Sequence, residues 1–118
     1  MDDTDLRERL RDFAKARDWD QFHTPKNLAM ALAAEVGELL EIFQWLSDQQ
    51  AIGVKDDAAA VQAVREELAD IVIYAVRLAD VLSIDLEEAT RLKVDANERR
   101  YPVELARGNA LKYDRRPK

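Results

Sequence analysis

The sequence predicts an all-α fold: an oligomeric bundle of four to five helices around a central antiparallel helix hairpin. Three observations predict it. Apolar residues recur at helical spacing over four long stretches, and none alternates as a strand does. Only three Gly and three Pro occur in 118 residues, so turns are few and helices long. Two of the stretches carry a pair of carboxylates three residues apart within apolar runs, Glu35 with Glu38 and Glu67 with Asp70. Residues at that spacing share a helix face.

The first helix spans Asp5 to about Arg17, with Leu6, Leu10, Phe13 and Ala14 on one face and Asp3 or Thr4 as its cap. The segment DWDQFHT is a connector. Thr24 followed by Pro25 opens the second helix, a capping hydroxyl before a proline whose missing N–H costs nothing there. That helix runs to about Leu46. A loop from about Ser47 to Asp57, containing Gly53, precedes the third helix, from near Ala58 to Leu82. Asp85 with Glu88 three residues on fits the reciprocal capping pattern and opens the fourth, to about Arg100. Pro102 ends or kinks it at Tyr101, and 102–107 supply one further turn before Gly108. The tail, 110–118, is basic.

At about 100° per residue, Glu67, Asp70, Tyr74 and Arg77 share one side of the third helix. Leu68, Ile71, Ala75, Leu78 and Leu82 fill an adjacent side, and Val72, Ile73 and Val76 cover most of the rest. A helix apolar nearly all round is buried on several sides. Four or five helices of one small chain cannot cover it, so the third helix is expected at the centre of a subunit interface.

Composition narrows the function. A chain of 118 residues, 47% apolar and 36% charged, makes one ordered domain, 1–118, rather than a disordered one. Its net charge of −6 argues against a nucleic acid polymer as partner, but not against a small anion bridged to the acids by a metal. No cysteine is present, so disulfides and thiolate zinc sites are excluded. The start MDDTDLRERL lacks an apolar signal core, and no apolar run reaches membrane-spanning length. A cytoplasmic protein with no membrane partner is expected.

The four acids stand at mirrored positions about a point between Ile52 and Gly53, inside the loop. An antiparallel hairpin about that point puts Glu35 level with Asp70 and Glu38 level with Glu67. Four carboxylates on apolar helices are costly to bury without a partner, and a divalent cation is the partner that fits. Oxygen-only ligands favour Mg²⁺, with Mn²⁺ as substitute, over zinc. A di-iron bundle site needs Glu-x-x-His pairs, and the sole histidine, His23, follows no such glutamate.

Other residues allow two readings each. Trp19, Trp45 and Tyr74 are core aromatics or a stacking surface for a base. Trp45 lies two turns beyond Glu38, and Tyr74 one turn beyond Asp70. His23, just ahead of the second helix, caps it or meets a phosphate. Lys93 and Asn97, four apart on the fourth helix, form a solvated face or a phosphate contact and a polar contact. No serine–histidine or cysteine–histidine pair offers a covalent route, and no Gly-rich phosphate loop is present.

The pattern Glu-x-x-Glu, 28 residues, Glu-x-x-Asp resembles the signature of the all-α nucleoside triphosphate pyrophosphohydrolases, the MazG-like superfamily. WDQFHTPKNL, EVGELLEIFQW, EELADIVIYAVRLAD, KVDANERRYP and ARGNALKY occur in family order over nearly the whole chain, and most resemble its dCTP pyrophosphatase branch. The resemblance implies hydrolysis of a (deoxy)nucleoside triphosphate, dCTP or a modified dCTP, between the α- and β-phosphates, to the monophosphate and pyrophosphate. It implies Mg²⁺ on Glu35, Glu38, Glu67 and Asp70; a carboxylate not fully spent on the metal, Glu35 or Glu38, is the expected base for the attacking water. Trp19, Trp45 and Tyr74 would shape the base and sugar pocket, and His23, Lys93, Asn97 and Tyr101 fall at family positions near the nucleotide. The family's dimers often pair into tetramers, so self-association as dimer or homotetramer is implied. Where relatives place a polar histidine beside the base, this chain has Leu10, which bears on cytosine preference. Two alternatives stay open: a sister enzyme acting on dUTP or phosphoribosyl-ATP, and a non-catalytic helical interaction protein.

Overall fold

The computed structural model describes residues 2–115; of the basic tail, Arg116 and Lys118 lie outside the described residues. Helices are the only regular elements among the described residues: α1 Thr4–Ala16, α2 Pro25–Phe43, α3 Asp48–Ile52, a 3₁₀ turn Gly53–Asp56, α4 Ala58–Val81, α5 Leu86–Arg100 and α6 Val103–Ala106. They fall into two compact units, one of residues Asp2–Ile84 and one beginning at Asp85.

The helix starts follow local chemistry. Thr24 accepts from the Asn27 N–H at 3.2 Å with Pro25 behind it. Asp57 accepts from the Ala59 and Ala60 N–H groups, and Asp85 from that of Glu88. At α1, Asp3 holds the cap position without a side-chain bond, and the Asp2 carboxylate accepts from the Thr4 N–H instead. The connector differs from the expected loop. α2 stops at Phe43, and Ser47 opens α3 through a full capping box: the Ser47 Oγ accepts from the Gln50 N–H while the Gln50 side chain accepts from the Ser47 N–H. Two reciprocal bonds satisfy helix-end donors that a loop would leave to water.

Two helix ends are closed without glycine. α1 and α4 turn out through left-handed Asp18 and Ser83, at φ 55° and 56°. Behind them the N–H groups of Trp19 and Ile84 reach back to Ala14 and Ala79, both buried. These are the paired carbonyl-satisfying bonds of a Schellman end, and the first sets Trp19 down against the end of α1.

In the first unit α4 packs chiefly on α2 and also on α1. His23, just ahead of α2, bonds Arg77 near the end of α4. Phe43, at the end of α2, shares a cavity with Val61 near the start of α4. The two helices therefore run in opposite directions. Among the described residues, Ala14, Leu28, Val76 and Ala79 are the buried apolar ones, and of these Leu28 and Val76 are large and fully buried, each contributing about 1.5–3 kcal/mol. Leu40, Leu68 and Val72 stay exposed on the same two helices. No described helix is long and apolar enough to cross a membrane.

Candidate active site

α2 and α4 gather three carboxylates. One oxygen each of Glu35, Glu38 and Glu67 lies within 4.8 Å of the others, the only such acidic or histidine-bearing group of three among the described residues. Glu35 and Glu67 are half-buried and Glu38 is exposed. Among the described residues, Oε2 of Glu35 and Oε2 of Glu67 are buried side-chain atoms that no donor reaches. The acids can relieve one another only by holding a proton. The hydrogen bond to Glu67, burial, and the Glu38 carboxylate push the Glu35 carboxyl up to about 7. For Glu67 the bond from Glu35 acts downward, but burial with the charges of Glu38 and Asp70 outweighs it, leaving Glu67 raised. Asp70 stands outside the group of three, within electrostatic reach of both.

Asp70 instead lines a cavity of about 280 Å³ with Trp19, His23, Tyr74 and Arg77, walled by Leu10, Phe13 and Ile73. That volume is near the lower end of small-molecule sites. Phe13 and Trp19 pack edge to face at 5.6 Å, and the Arg17 guanidinium lies 3.6 Å over the Phe13 ring. His23 meets Trp19 edge-on at 6.3 Å. A larger cavity, about 430 Å³, opens between the connector and the far ends of α2 and α4. Phe43, Ile52, Val61 and Leu68 make it apolar, and none of the four acids lines it.

A charged network backs the smaller cavity. Arg77 is 7% exposed. Its Nε donates to His23 Nδ1 at 3.0 Å, Nη1 to Asp80 at 3.2 Å and Nη2 to Asp20 at 2.8 Å. Arg11 of α1 grips Asp80 with two further bonds. The Arg11 hydrogen bond holds the Asp80 carboxyl below its ordinary value, with the charges of Arg11 and Arg77 adding to it. Burial first, then the charge of Arg77, push His23 down, against Asp20.

The structure thus brings Glu35, Glu38 and Glu67 together, and Trp19, His23, Asp70 and Tyr74 around one cavity. It does not bring Trp45 to that cavity: Trp45 follows the end of α2 and is 85% exposed. Lys93 and Asn97 lie exposed on α5 of the second unit. Half-buried Tyr101 follows them, its ring edge-on to Tyr113 at 6.2 Å. Sequence reasoning assigned no role to Phe13, Asp20 or Arg77. Arg77 left one signal, its place on the Asp70–Tyr74 side of the third helix.

Comparison with known proteins identifies the family. A MazG-like family model matches residues 30–115. Bovine dCTP pyrophosphatase 1 is 49% identical over 109 residues, covering 92% of this chain and 64% of the bovine protein. The human protein of that name is 45% identical over 96% of this chain and 66% of its own length. The chain therefore spans about two thirds of these curated relatives. The crystal structure of a pyrophosphatase from Archaeoglobus fulgidus superposes with a TM-score of 0.76 at 44% identity, covering 83% of this chain and 90% of that one.

Proposed function

The chain belongs to the MazG-like family, and from that premise we propose that it hydrolyses dCTP or a modified dCTP to the monophosphate and pyrophosphate. The observation that carries the reading is the meeting of Glu35, Glu38 and Glu67, with two buried oxygens that no donor serves. Relatives that bear the name dCTP pyrophosphatase 1 supply the substrate class.

The donor set fits a hard divalent cation. All of its ligands are carboxylate oxygens, and the two orphaned oxygens need positive charge. Glu35, Glu38 and Glu67 would hold Mg²⁺, or Mn²⁺ in its place, with Asp70 as fourth ligand. When bound, the ion supplies charge neutralisation for a polyanionic substrate in an acidic pocket. The chain's own residues do the rest. Trp19 and Tyr74 would flank the base; Trp45 lies outside their cavity within one chain and would join the stack only across an assembly of copies. His23 presents a polar contact, and Lys93, Asn97 and Tyr101 engage the phosphates and sugar. Glu35 or Glu38 takes the proton of the attacking water. Leu40, Leu68 and Val72 stay exposed on α2 and α4, which supports their burial by assembly as a homodimer or homotetramer. A cytoplasmic location completes the proposal.

The test is hydrolysis of canonical and modified deoxynucleoside triphosphates with Mg²⁺, products resolved by anion exchange, beside light scattering for assembly. Monophosphate and pyrophosphate from a cytosine nucleotide support the proposal. The same cleavage of dUTP or phosphoribosyl-ATP alone replaces the substrate and keeps the site. No turnover by a folded oligomer sinks the enzyme reading in favour of a helical interaction protein.

A further inference from the structure

We infer that Arg77 is a positioning residue. Anchored on Asp20 and Asp80, its guanidinium holds the His23 ring with Nδ1 as acceptor, so that Nε2–H becomes a fixed hydrogen-bond donor for a ligand in the adjoining cavity. This assignment of a ligand rests on the nucleotide reading above; the clamp itself does not.

A guanidinium only donates. The 3.0 Å bond from Arg77 Nε therefore requires an unprotonated His23 Nδ1. A neutral imidazole then carries its one proton on Nε2. The Arg77 fork is not free to turn. The Arg77 side chain is 8% exposed and its two terminal nitrogens end on carboxylates from different segments, Asp20 in the connector and Asp80 on α4. Asp80 is fixed in turn by Arg11 of α1. Two cations face two anions, so the buried charge is compensated.

A tie between α4 and the connector is complete with the Asp20 and Asp80 bonds alone. The third bond, from the inner nitrogen to the only histidine of the chain, adds a tautomer choice to that tie. His23 and Arg77 both line the cavity with Trp19, Tyr74 and Asp70. A donor offered there selects ligands that present an acceptor. The carbonyl oxygen of a pyrimidine and a phosphate oxygen share that chemistry.

One histidine gives one set of imidazole signals, so an untagged, ¹⁵N-histidine-labelled protein answers the question directly by long-range ¹H–¹⁵N correlation at pH 7. The expected spectrum shows a bare Nδ1 and a protonated Nε2 as a single species. An Nδ1–H tautomer, an averaged mixture or an imidazolium in the wild type overturns the clamp, whether or not any variant folds. Arg77→Lys keeps the charge but not the planar fork; it and Arg77→Met should give mixed tautomers. In dCTP hydrolysis they should raise KM about tenfold, the scale of one hydrogen bond to a charged or oriented partner, with kcat changed less than about threefold. Lower melting temperature with the tautomer and KM unchanged shows a structural tie only. Added deoxycytidine shifting Nε2–H assigns the acceptor to the base, and inorganic tripolyphosphate shifting it assigns the acceptor to phosphate. No shift with either, or with dCTP, overturns the ligand role. Absence of any hydrolysis beside the expected tautomer removes the nucleotide reading and leaves the clamp.

Discussion

Glu35 on α2 and Glu67 on α4 meet across the helix pair, each with a buried Oε2 that no donor reaches among the described residues. Two carboxylates in that relation are stable with a proton between them or a cation upon them, and strained as bare anions. The hydrogen bond to Glu67, then burial and the Glu38 carboxylate, push the Glu35 carboxyl up to about 7. On the proposed metal site, the stability of the metal-free chain and the binding of a cation therefore draw on the same pair in opposite ways.

Glu67→Gln separates those two demands. The amide supplies a donor to Glu35 and removes one charge, so the metal-free melting temperature should rise. Turnover should fall by more than about 100-fold, since even indirect partners of metal ligands cost 10–100-fold. Thermal scans in chelator beside an activity assay check both. A variant that is active, or less stable than the wild type without metal, contradicts the account.

Metal binding should displace the proton. Below pH 7 the Glu35 carboxyl is largely protonated in the metal-free site, and above it largely ionised. Mg²⁺ affinity should therefore climb as pH rises toward 7 and level off beyond it. Titration calorimetry at pH 6 in two buffers of different ionisation enthalpy should report close to one proton released per site, and close to none at pH 8. Equal release at both values removes Glu35 as the proton holder. The sign for folding is the reverse of an ordinary acid. A folded value raised from 4.5 to about 7 stabilises the metal-free chain below 4.5, a contribution lost as pH rises through 7.

The Arg77 network behaves oppositely. Asp80 is held below 3.8, so its contribution is complete above that value and is lost as pH falls through the lower folded value. His23 is held below 6.5, so it too weakens the fold only on acidification, once pH passes below that point. Asp80→Asn should cost about 1.5–3 kcal/mol at neutral pH, the range for hydrogen bonds to charged groups. The deficit against the wild type should shrink once the pH is well below 3.8. Denaturant titrations at pH 7 and about pH 2 measure it, and a deficit independent of pH denies the ion pairs their role.

These contrasts mark what was legible in the sequence. Apolar spacing and the caps Thr24 and Asp85 act over three or four residues, and all four long helices followed within three residues at each end; the Asp57 cap of α4 was not read from the sequence. The i,i+3 acids placed three of four carboxylates in one cluster for the same reason. The α3 box was present as Ser47 and Gln50 but is a two-residue signal without an apolar run behind it. Left-handed Asp18 and Ser83 stand where glycine is the usual sign. The Arg77–His23 and Arg77–Asp20 bonds span 54 and 57 residues, and no periodicity encodes side-chain pairs at such separations. Trp45 followed the helical wheel on paper only as long as the helix was extended past Phe43.

On the nucleotide proposal, the two tryptophans test where the base would bind, because their settings in the chain differ. Trp19 is 43% exposed and packs edge to face on Phe13, whereas Trp45 is 85% exposed. Trp45→Ala removes little from within the chain, so folding stability should change by less than about 0.5 kcal/mol. Trp19→Ala forfeits an aromatic pair worth about 0.5–1.5 kcal/mol beyond its buried area and should unfold earlier. Stacking on a base contributes about 1–3 kcal/mol per ring. Each variant should therefore raise the KM for dCTP by about five- to a hundredfold, with kcat much less affected, since a base contact far from the reacting phosphorus is made equally in ground and transition states. An unchanged KM in Trp45→Ala takes Trp45 out of the pocket and leaves the base between Trp19 and Tyr74. An unchanged KM in a folded Trp19→Ala moves the base away from the 280 Å³ cavity altogether.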